Sequence, residues 1–398
     1  MGNRNLLPIL SLFFLGLIPL EAAPPLKPSK PEQIVTEIMA IADVQINGNR
    51  PWDIQVHDAS FYDRLLRDYT LALGETYMEG LWDCEAIDEL IFHCLRSELD
   101  QKVTPTWGMR WEVIKAKLFN RQTKSGSLDV IEQHYQLGND LFENMLDELM
   151  TYSCGYWNKA CDLDQAQAAK YDLIARKLGF KKGMRVLDIG CGWGGFAKYV
   201  AQHYGVEVVA ITLSENQAAF AKECCKGLPV EVRVQDYRDV EGEFDRVVEI
   251  GMFEHVGQKN YRTFMEKAHQ CLNDGGMLML HTIGRNTSAS TVDPWIEKYI
   301  FPGGHLPSIA QIGAAVEELF VMEDWHNFGA DYDKTLMAWY QNVTQNWDKV
   351  RDAYPPMFYR MWKYYLLSCA GAFRARDIQL WQVVLSKKGV LEGYQTVR

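Results

Sequence analysis

The chain has 398 residues, 47% hydrophobic and 12% aromatic, which is long enough for two domains with a sizeable core. Its formal net charge is −11, and no basic domain or nucleic-acid motif offsets that charge, so the sequence argues against binding to nucleic acid. Nine cysteines are scattered without C-x-x-C or zinc-ligand spacing. The sequence therefore predicts a reduced, intracellular protein with no metal site.

Residues 1–31 are predicted to form an apolar leader and a proline-rich linker. Residues 6–20 are an apolar run after Arg4 that resembles a signal peptide or a short anchor. The run is shorter than the about 20 apolar residues that a membrane span needs. We interpret it as an incidental extension or a start-site artefact, with a membrane anchor as the alternative.

Residues 32–105 are predicted to form a small, mainly helical N-terminal domain with no catalytic constellation of its own. The apolar spacing predicts helices over 32–42, 61–72 and 85–98, a short strand within 53–57, and a connection over 74–82. The default role of such a domain is structural, which includes pairing two chains into a homodimer.

Residues 106–127 are predicted to form a basic and aromatic linker with a helix over 110–124. Five Lys and Arg side chains there oppose the single acid Glu112, and Trp107 and Trp111 lie among them. An apolar face beside clustered cations suits an anionic membrane surface. The alternative is a helix that connects two domains and has a solvated charged face, which is what charge runs usually form.

A buried strand, a glycine-rich turn and a helix follow one another at residues 184–204. Asp188 lies just before the first glycine of the turn, where its carboxylate can contact a cationic part of a ligand. Strand, turn and helix in this order open a nucleotide-binding α/β unit, with the ligand at the carboxyl end of the strand. Glycines let a backbone approach a ligand closely, and four stand here within six positions: Gly190, Gly192, Gly194 and Gly195.

The second strand ends in Thr212, Leu213 and Ser214 rather than in the acidic residue that holds the ribose of NAD. Together with the glycines, this pattern resembles motif I of S-adenosylmethionine-dependent methyltransferases. Ser214 is predicted to cap the helix over 214–225, with Gln217 completing a capping box.

The remaining segments alternate between strand and helix, which predicts a doubly wound, mostly parallel α/β sheet of seven strands. The resemblance to the methyltransferases implies that this sheet is Rossmann-like and of class I methyltransferase type. Residues 128–398 form this predicted catalytic domain, and 286–319 is long enough for a lid insertion. Helices are predicted over 165–178, 196–204, 261–271 and 353–373. The predicted strands are 184–189, 206–211, 230–234, 244–250, 276–282, 320–325 and 380–386.

Several motifs together resemble the cyclopropane-fatty-acyl-phospholipid synthase family, and the mycolic acid cyclopropane synthases share much of the set. The resemblance runs from about residue 32 to the C-terminus, and the extra N-terminal domain fits the phospholipid enzymes better. The motifs are residues 187–195, 212–217, 235–239, 251–257, 281–284, 293–296, 299–302 and 371–377.

The resemblance implies transfer of a methylene unit from S-adenosylmethionine to a cis double bond of a phospholipid acyl chain. It also implies bicarbonate as the base, held by the side chains of Cys154, Glu254, His281 and Tyr332 and by the backbone of Ile283. Glu254 follows the fourth strand and His281 ends the fifth, so both lie at the sheet edge where ligands bind.

Cys369 matches a cysteine that has been proposed as catalytic in the family. We interpret it as a packing residue, since a thiol is a poor base unless its pKa is lowered.

The family match also implies the residues that hold S-adenosylmethionine, among which Asp236 is placed to accept a hydrogen bond from the adenine amino group. The cofactor residues are Tyr152, Ser153, Asp188, Gly190, Gly192, Gly194, Gly195, Thr212, Leu213, Ser214, Gln217, Asp236 and Tyr237.

Aromatic faces can stabilise the carbocation that forms on the acyl chain. For most aromatic candidates we expect ordinary core packing instead. The candidates are Tyr152, Tyr156, Trp157, Phe253, Phe328, Tyr332, Trp339 and Tyr340.

The expected partner is a phospholipid bilayer with unsaturated acyl chains, and the expected location is cytoplasmic, peripherally associated with the inner membrane. Three alternatives stay open at this stage. The chain could methylate another lipid or a small acceptor, it could bind lipid without catalysis, or it could be an NAD-dependent oxidoreductase.

Overall fold

The computed structural model describes residues 28–99, 138–288 and 292–398. The predicted leader over 6–20 and the basic and aromatic linker over 106–127 lie outside the described residues. Within the described residues, no helix is both long enough and apolar enough to cross a membrane. All nine cysteines are free thiols.

Three helices, α1 (Lys30–Ile41), α2 (Ser60–Met78) and α3 (Ile87–Arg96), form the N-terminal part, with a two-stranded ribbon of β1 (Gln55–Val56) and β2 (Trp82–Asp83). The connection predicted over 74–82 is wrong for residues 74–78, because α2 continues through Gly74 and ends at Met78. A Cβ at Gly74 would lie 2.4 Å from the Trp295 ring, so the absent side chain lets this helix pack closely.

A seven-stranded sheet forms the centre of the rest of the chain, in the order β5-β4-β3-β6-β7-β9-β8. Six strands run parallel, and β9 runs antiparallel between β7 and β8. The predicted mostly parallel sheet of class I methyltransferase type is confirmed. The strands are β3 (Arg185–Ile189), β4 (Glu207–Thr212), β5 (Val230–Val234), β6 (Phe244–Ile250), β7 (Leu272–Arg285), β8 (Val321–Asn327) and β9 (Ile378–Ser386).

Helices cover both faces of the sheet because successive strand residues point to opposite sides. In β3, Val186 belongs to the apolar cluster on one face, and Leu187 and Ile189 belong to the cluster on the other. The helices between residues 138 and 320 are α4 (Asn139–Glu143), α5 (Leu163–Lys177), α6 (Gly195–Tyr204), α7 (Glu215–Cys224), α8 (Tyr261–Gln270), α9 (Pro294–Tyr299) and α10 (Ile309–Val316).

Two long helices, α11 (Ala330–Val350) and α12 (Pro356–Arg374), pack against the N-terminal helices in one apolar cluster. A Cβ at Gly371 of α12 would lie 2.4 Å from the backbone oxygen of Asp88, so α12 and α3 are in close contact. The sequence analysis missed α11. The N-terminal helices are thereby held beside the carboxyl edge of the sheet, although the division into domains stays a prediction.

Candidate active site

Two cavities open at the carboxyl edge of the parallel strands, where an α/β sheet binds its ligands. The first, here called the cofactor cavity, has a volume of about 590 Å³. Twelve of the thirteen predicted cofactor residues line it: Tyr152, Ser153, Asp188, Gly190, Gly192, Gly195, Thr212, Leu213, Ser214, Gln217, Asp236 and Tyr237.

The exception is Gly194, which has a packing role instead. Its φ of +85° is in the left-handed region, and a Cβ there would lie 2.9 Å from the Cβ of Ala221. Gly192 differs because its φ is +53° and a Cβ added to it would have no neighbouring atom within 4 Å, so its backbone borders open space. Of the four glycines of the turn, Gly194 therefore packs against a helix, and the other three line the cofactor cavity.

Asp188 is fully buried at the end of β3, and its Oδ2 atom has no hydrogen-bond partner among the described residues. Burial raises the pKa of this carboxyl to about 7. A buried carboxylate without a partner is costly. A cationic ligand group in the cofactor cavity would supply the missing partner.

Ser214 caps α7 as predicted, since its Oγ accepts a hydrogen bond of 3.3 Å from the Gln217 amide. The predicted capping box is wrong, because the Gln217 side chain does not reach back to the Ser214 backbone. Its Oε1 accepts a hydrogen bond of 3.0 Å from Thr212 Oγ1. This bond joins the end of β4 to the first turn of α7 beside the cavity.

Asp236 borders the cofactor cavity, and its side chain is engaged by Arg238 at 2.6 Å. The side-chain hydrogen bond from Arg238 lowers the pKa of this carboxyl, which is therefore ionised at neutral pH. A bidentate guanidinium occupies both carboxylate oxygens in part. Because Oδ1 also accepts from the Arg238 amide at 2.9 Å, Oδ2 is the oxygen with a lone pair left for an amino group.

The second cavity, here called the acceptor cavity, has a volume of about 650 Å³ and is lined mostly by apolar side chains. Of the eight predicted aromatic wall residues, Tyr152 and Tyr332 line it. The sequence analysis missed five aromatic residues of the wall, although three lie in the quoted motifs and the other two in the aromatic-rich stretch 353–373. These are Trp295, Phe301, Tyr364, Tyr365 and Phe373.

The two cavities meet at four residues that line both: Tyr152, Ser153, Gly251 and His255. The hydroxyl groups of Tyr152 and Tyr365 are hydrogen-bonded at 2.8 Å, which fixes the Tyr152 ring at this junction. His255 was not predicted as a site residue, although it lies in the motif 251–257. A group transferred between the cavities must pass this junction.

Buried polar groups stand beside the junction in an otherwise apolar wall. Glu254 accepts a hydrogen bond of 2.6 Å from the Ile283 amide through Oε1, and its Oε2 has no partner among the described residues. His281 Nε2 also lacks a partner there, while its Nδ1 lies 3.3 Å from Gln382 Nε2. The free atoms of Glu254 and His281 are suited to a small polar ligand.

Near neutral pH His281 is uncharged and Glu254 is partly protonated. Burial raises the pKa of Glu254 to about 7, and burial lowers the pKa of His281 well below its ordinary value. With the amide of Gln382 donating to Nδ1, the proton of the neutral His281 ring is on Nε2. A protonated Glu254 and the His281 Nε2–H can both donate to one acceptor.

Cys154 and Tyr332 complete the predicted base-holding set. Burial raises the pKa of both groups well above their ordinary values, so both are protonated. Tyr332 lines the acceptor cavity. Cys154 lies just behind the wall, and its thiol donates to the Gly155 carbonyl at 3.2 Å. The name "polar cage" is used below for Cys154, Glu254, His281, Ile283 and Tyr332.

Cys369 lines the acceptor cavity. Burial raises the pKa of its thiol to about 12, so the thiol is not a base at neutral pH.

The protein family described as mycolic acid cyclopropane synthetase matches residues 122–383 of this chain. The chain belongs to this family. The S-adenosylmethionine-dependent methyltransferase class predicted from the motifs is confirmed. The alternatives of a non-catalytic lipid-binding module and of an NAD-dependent oxidoreductase are thereby set aside.

One relative is the cyclopropane-fatty-acyl-phospholipid synthase of Escherichia coli (strain K12), which is 50% identical over 366 residues, 92% of this chain and 96% of the relative. Two solved structures are also similar. The cyclopropane synthase MmaA2 from Mycobacterium tuberculosis is 31% identical, with a TM-score of 0.61 over 67% of this chain and all of that chain. Mycolic acid cyclopropane synthase CmaA1 complexed with SAH and CTAB is 31% identical, with a TM-score of 0.60 over 65% of this chain and 98% of that chain.

Proposed function

We propose that this enzyme is a cyclopropane-fatty-acyl-phospholipid synthase that transfers a methylene unit from S-adenosylmethionine to the cis double bond of a phospholipid acyl chain. The observation that carries the proposal is the polar cage, of which Glu254, His281, Ile283 and Tyr332 line an apolar cavity of about 650 Å³ beside the cofactor cavity. An ordinary amine or hydroxyl methyltransferase needs no large, mostly apolar cavity with such buried polar groups. The 50% identical relative carries the same activity in its name.

S-adenosylmethionine supplies the methyl group as a sulfonium when it is bound. The unpartnered Oδ2 of Asp188 is placed to accept from its ammonium group, and the open backbone at Gly192 gives room for a close approach. Tyr152 and Ser153 are at the junction, where they orient the methyl group toward the acceptor. Alignment of the two reacting atoms matters because an alkene is a weak nucleophile.

The apolar wall of the acceptor cavity excludes water from the cationic centre that develops on the acyl chain. Tyr152, Tyr332 and Tyr365 present aromatic side chains to this cavity. Each aromatic face can stabilise a desolvated cation by up to about 2 kcal/mol. Water would otherwise add to the cation and give a hydroxylated product.

When bicarbonate is bound, it supplies the base that removes a proton from the added methyl group. Residues of the polar cage fit this anion, because Glu254 Oε2 and His281 Nε2 are buried without partners in the described part of the chain. The His281 ring is neutral and can donate from Nε2, and Glu254 is partly protonated near neutral pH. The Ile283 amide holds Glu254 in position. Glu254 and His281 can then pass a proton between them and the anion.

We also propose that the enzyme acts at the cytoplasmic side of the inner membrane as a peripheral protein. An acyl chain of a bilayer reaches the acceptor cavity only when the protein lies on the bilayer surface. The basic and aromatic composition of residues 106–127 suits that contact. A homodimer formed through the N-terminal helices is a further part of the proposal, which sedimentation velocity tests.

The test is incubation with trideuterated S-adenosylmethionine and vesicles of a mono-unsaturated phospholipid, followed by acyl-chain mass spectrometry. Ring closure removes one deuteron, so the product retains two of the three. A product that retains all three deuterons would show ordinary methyl transfer and would contradict the proposal. Removal of bicarbonate from the buffer is expected to slow turnover, and unchanged turnover would contradict the anion as base.

A further inference from the structure

Lys170 of α5 is fully buried behind the junction of the two cavities. Its Nζ donates a hydrogen bond of 2.6 Å to Ser153 Oγ and lies 4.7 Å from the centre of the Tyr171 ring. No carboxylate of the described residues lies within ion-pairing distance of this Nζ. Burial lowers the pKa of Lys170 to about 7, so its ammonium form is only partly populated at neutral pH, and a nearby anion would favour that form.

The second buried lysine of α5 differs from Lys170 in this respect. Lys177 Nζ lies 3.5 Å from Asp324 and 3.0 Å from His326 Nδ1, and Asp324 also pairs with Arg398 at 2.6 Å. Lys177 is therefore neutralised within the protein. The two residues are two helical turns apart and provide a matched pair for comparison.

The surroundings of Lys170 point toward the polar cage. Ser153, which accepts from Lys170, lines both cavities and precedes Cys154 in the chain. Because Lys170 donates to Ser153 Oγ, the hydroxyl hydrogen of Ser153 is left to donate elsewhere. The charge of Lys170 also acts on Cys154 and, after burial itself, is the largest cause that lowers the pKa of His281, ahead of the charge of Lys177.

Charge in this region is otherwise sparse. No side chain of the polar cage is cationic near pH 7, and Glu254 is partly ionised there. Asp147, the carboxyl whose charge acts most on Lys170, already accepts from the Thr151 amide at 2.8 Å and the Leu149 amide at 3.0 Å. An anion placed among neutral donors in an apolar cavity needs a cation to offset its desolvation.

We propose that Lys170 is a positioning residue whose positive charge, relayed by the hydroxyl of Ser153, stabilises the bicarbonate in the polar cage. This rests on the proposed function, in which bicarbonate is the base. Lys170 does not touch the reacting atoms. It sets the affinity of the cage for the anion and leaves the chemical step to Glu254 and His281.

The experiment compares Lys170→Met, Lys170→Gln and the control Lys177→Met in the full chain. Affinity for ¹³C-labelled bicarbonate is measured by NMR line broadening without S-adenosylmethionine or lipid, and the half-saturating bicarbonate concentration is measured in turnover. S-adenosylhomocysteine binding and thermal unfolding verify the fold. Lys170→Gln keeps a donor for Ser153 without the charge, and it serves as the second variant if Lys170→Met does not fold.

Both Lys170 variants are expected to weaken bicarbonate binding by about tenfold or more, since a unit charge is lost in a low-dielectric site. Turnover at saturating bicarbonate is expected to recover. Lys177→Met is expected to keep the normal bicarbonate affinity, even where it lowers the unfolding temperature.

Normal bicarbonate affinity in a folded Lys170 variant would overturn this assignment while leaving the proposed function intact. Normal affinity in Lys170→Gln alone would show a hydrogen bond rather than a charge and would overturn it too. A weakened binding of S-adenosylhomocysteine with unchanged bicarbonate binding would assign Lys170 to the cofactor instead. A wild-type enzyme that neither binds nor needs bicarbonate would overturn the proposed base itself.

Discussion

The backbone amide of Ile283 donates a hydrogen bond of 2.6 Å to Oε1 of Glu254. The bond joins the segment after β6 to the carboxyl-terminal half of β7. Because Oε1 is occupied, only Oε2 of Glu254 is left for the acceptor cavity. Burial also raises the pKa of this carboxyl to about 7, so it can gain and lose a proton under working conditions.

Replacing Glu254 by Gln is expected to leave the fold and the binding of S-adenosylmethionine normal. The glutamine oxygen can still accept from the Ile283 amide, but the side chain can no longer exchange a proton. Turnover is expected to fall by about 10²-fold or more. Calorimetry measures the binding, and acyl-chain mass spectrometry measures the product.

The matched control is Glu249→Gln. Glu249 is a buried carboxyl whose Oε1 accepts from the Phe253 amide at 2.9 Å, and it lines neither cavity. This variant is expected to keep most of the turnover. Normal turnover in Glu254→Gln would remove Glu254 from the mechanism.

The affinity for S-adenosylmethionine is expected to depend on pH through Asp188. Burial raises the pKa of this carboxyl to about 7, and its ionised form attracts the ammonium group of the ligand. Below pH 7 the carboxyl is protonated, so the affinity is expected to fall as the pH is lowered from about 7 to 6. Above about pH 7.7–8.0 the amino group of the ligand loses its own proton, so the pH range in which Asp188 controls the affinity ends there.

Titration calorimetry across this range measures the effect. The Asp188→Asn variant is the control, because an amide does not titrate. This variant is expected to bind S-adenosylmethionine more weakly than the wild type, with the same affinity at pH 6 and at pH 7.5. A wild-type affinity that is constant between pH 6 and 7.5 would contradict the role of Asp188.

The same shift has a consequence for stability without ligand. The pKa of Asp188 is raised above its unfolded value, so the folded state binds this proton more tightly than the unfolded state does. The resulting stabilisation is fully present below about pH 4 and is lost as the pH rises through about 7. Asp188→Asn is expected to unfold at a temperature that depends less on pH, which differential scanning calorimetry measures.

Cys369 is expected to be dispensable for the chemistry. Burial raises the pKa of its thiol to about 12, so a thiolate is scarce at neutral pH. Cys369→Ala is expected to turn over close to normally, whereas removal of a general base costs about a hundredfold or more. Steady-state rates decide the question. A loss of that size in Cys369→Ala, with normal lipid affinity, would make the thiol a participant.

The sheet could be predicted from the sequence because each parallel strand is a short apolar run with its own turn signals. The five strands from β3 to β7 overlap the predicted ranges, with β4 shifted by one residue and β7 extended to Arg285. Helix α11 escaped prediction because its apolar residues, among them Leu336 and Trp339, are diluted by polar ones over 21 residues. Its stability comes from packing against α12, which a local pattern does not reveal.

The cofactor cavity was predictable because one continuous set of motifs forms most of it. The acceptor cavity was not, since its wall comes from segments far apart in the chain. Trp295 of α9 and Tyr364 of α12 have ring centres 4.7 Å apart, although 69 positions separate them. Most predicted wall aromatics, such as Trp339, are core residues instead. Aromatic content indicated a large apolar interior but not which rings border the cavity.

The N-terminal helices form the far wall of the acceptor cavity, through Leu73 of α2 and Ile91 and Cys94 of α3. The family match begins at residue 122, so this wall lies outside it. Cys94→Trp is expected to fill that end of the cavity and to shift selectivity toward shorter acyl chains by about tenfold or more. Binding of S-adenosylmethionine is expected to be unchanged, since Cys94 does not line the cofactor cavity.

A competition between phospholipids with shorter and longer mono-unsaturated chains measures the ratio of products. Cys161→Trp is the matched control, because Cys161 is exposed and lines neither cavity. It is expected to give the wild-type ratio. If Cys94→Trp folds, binds S-adenosylmethionine and also gives the wild-type ratio, the acyl chain does not extend to α3, and chain length is set by the catalytic part alone.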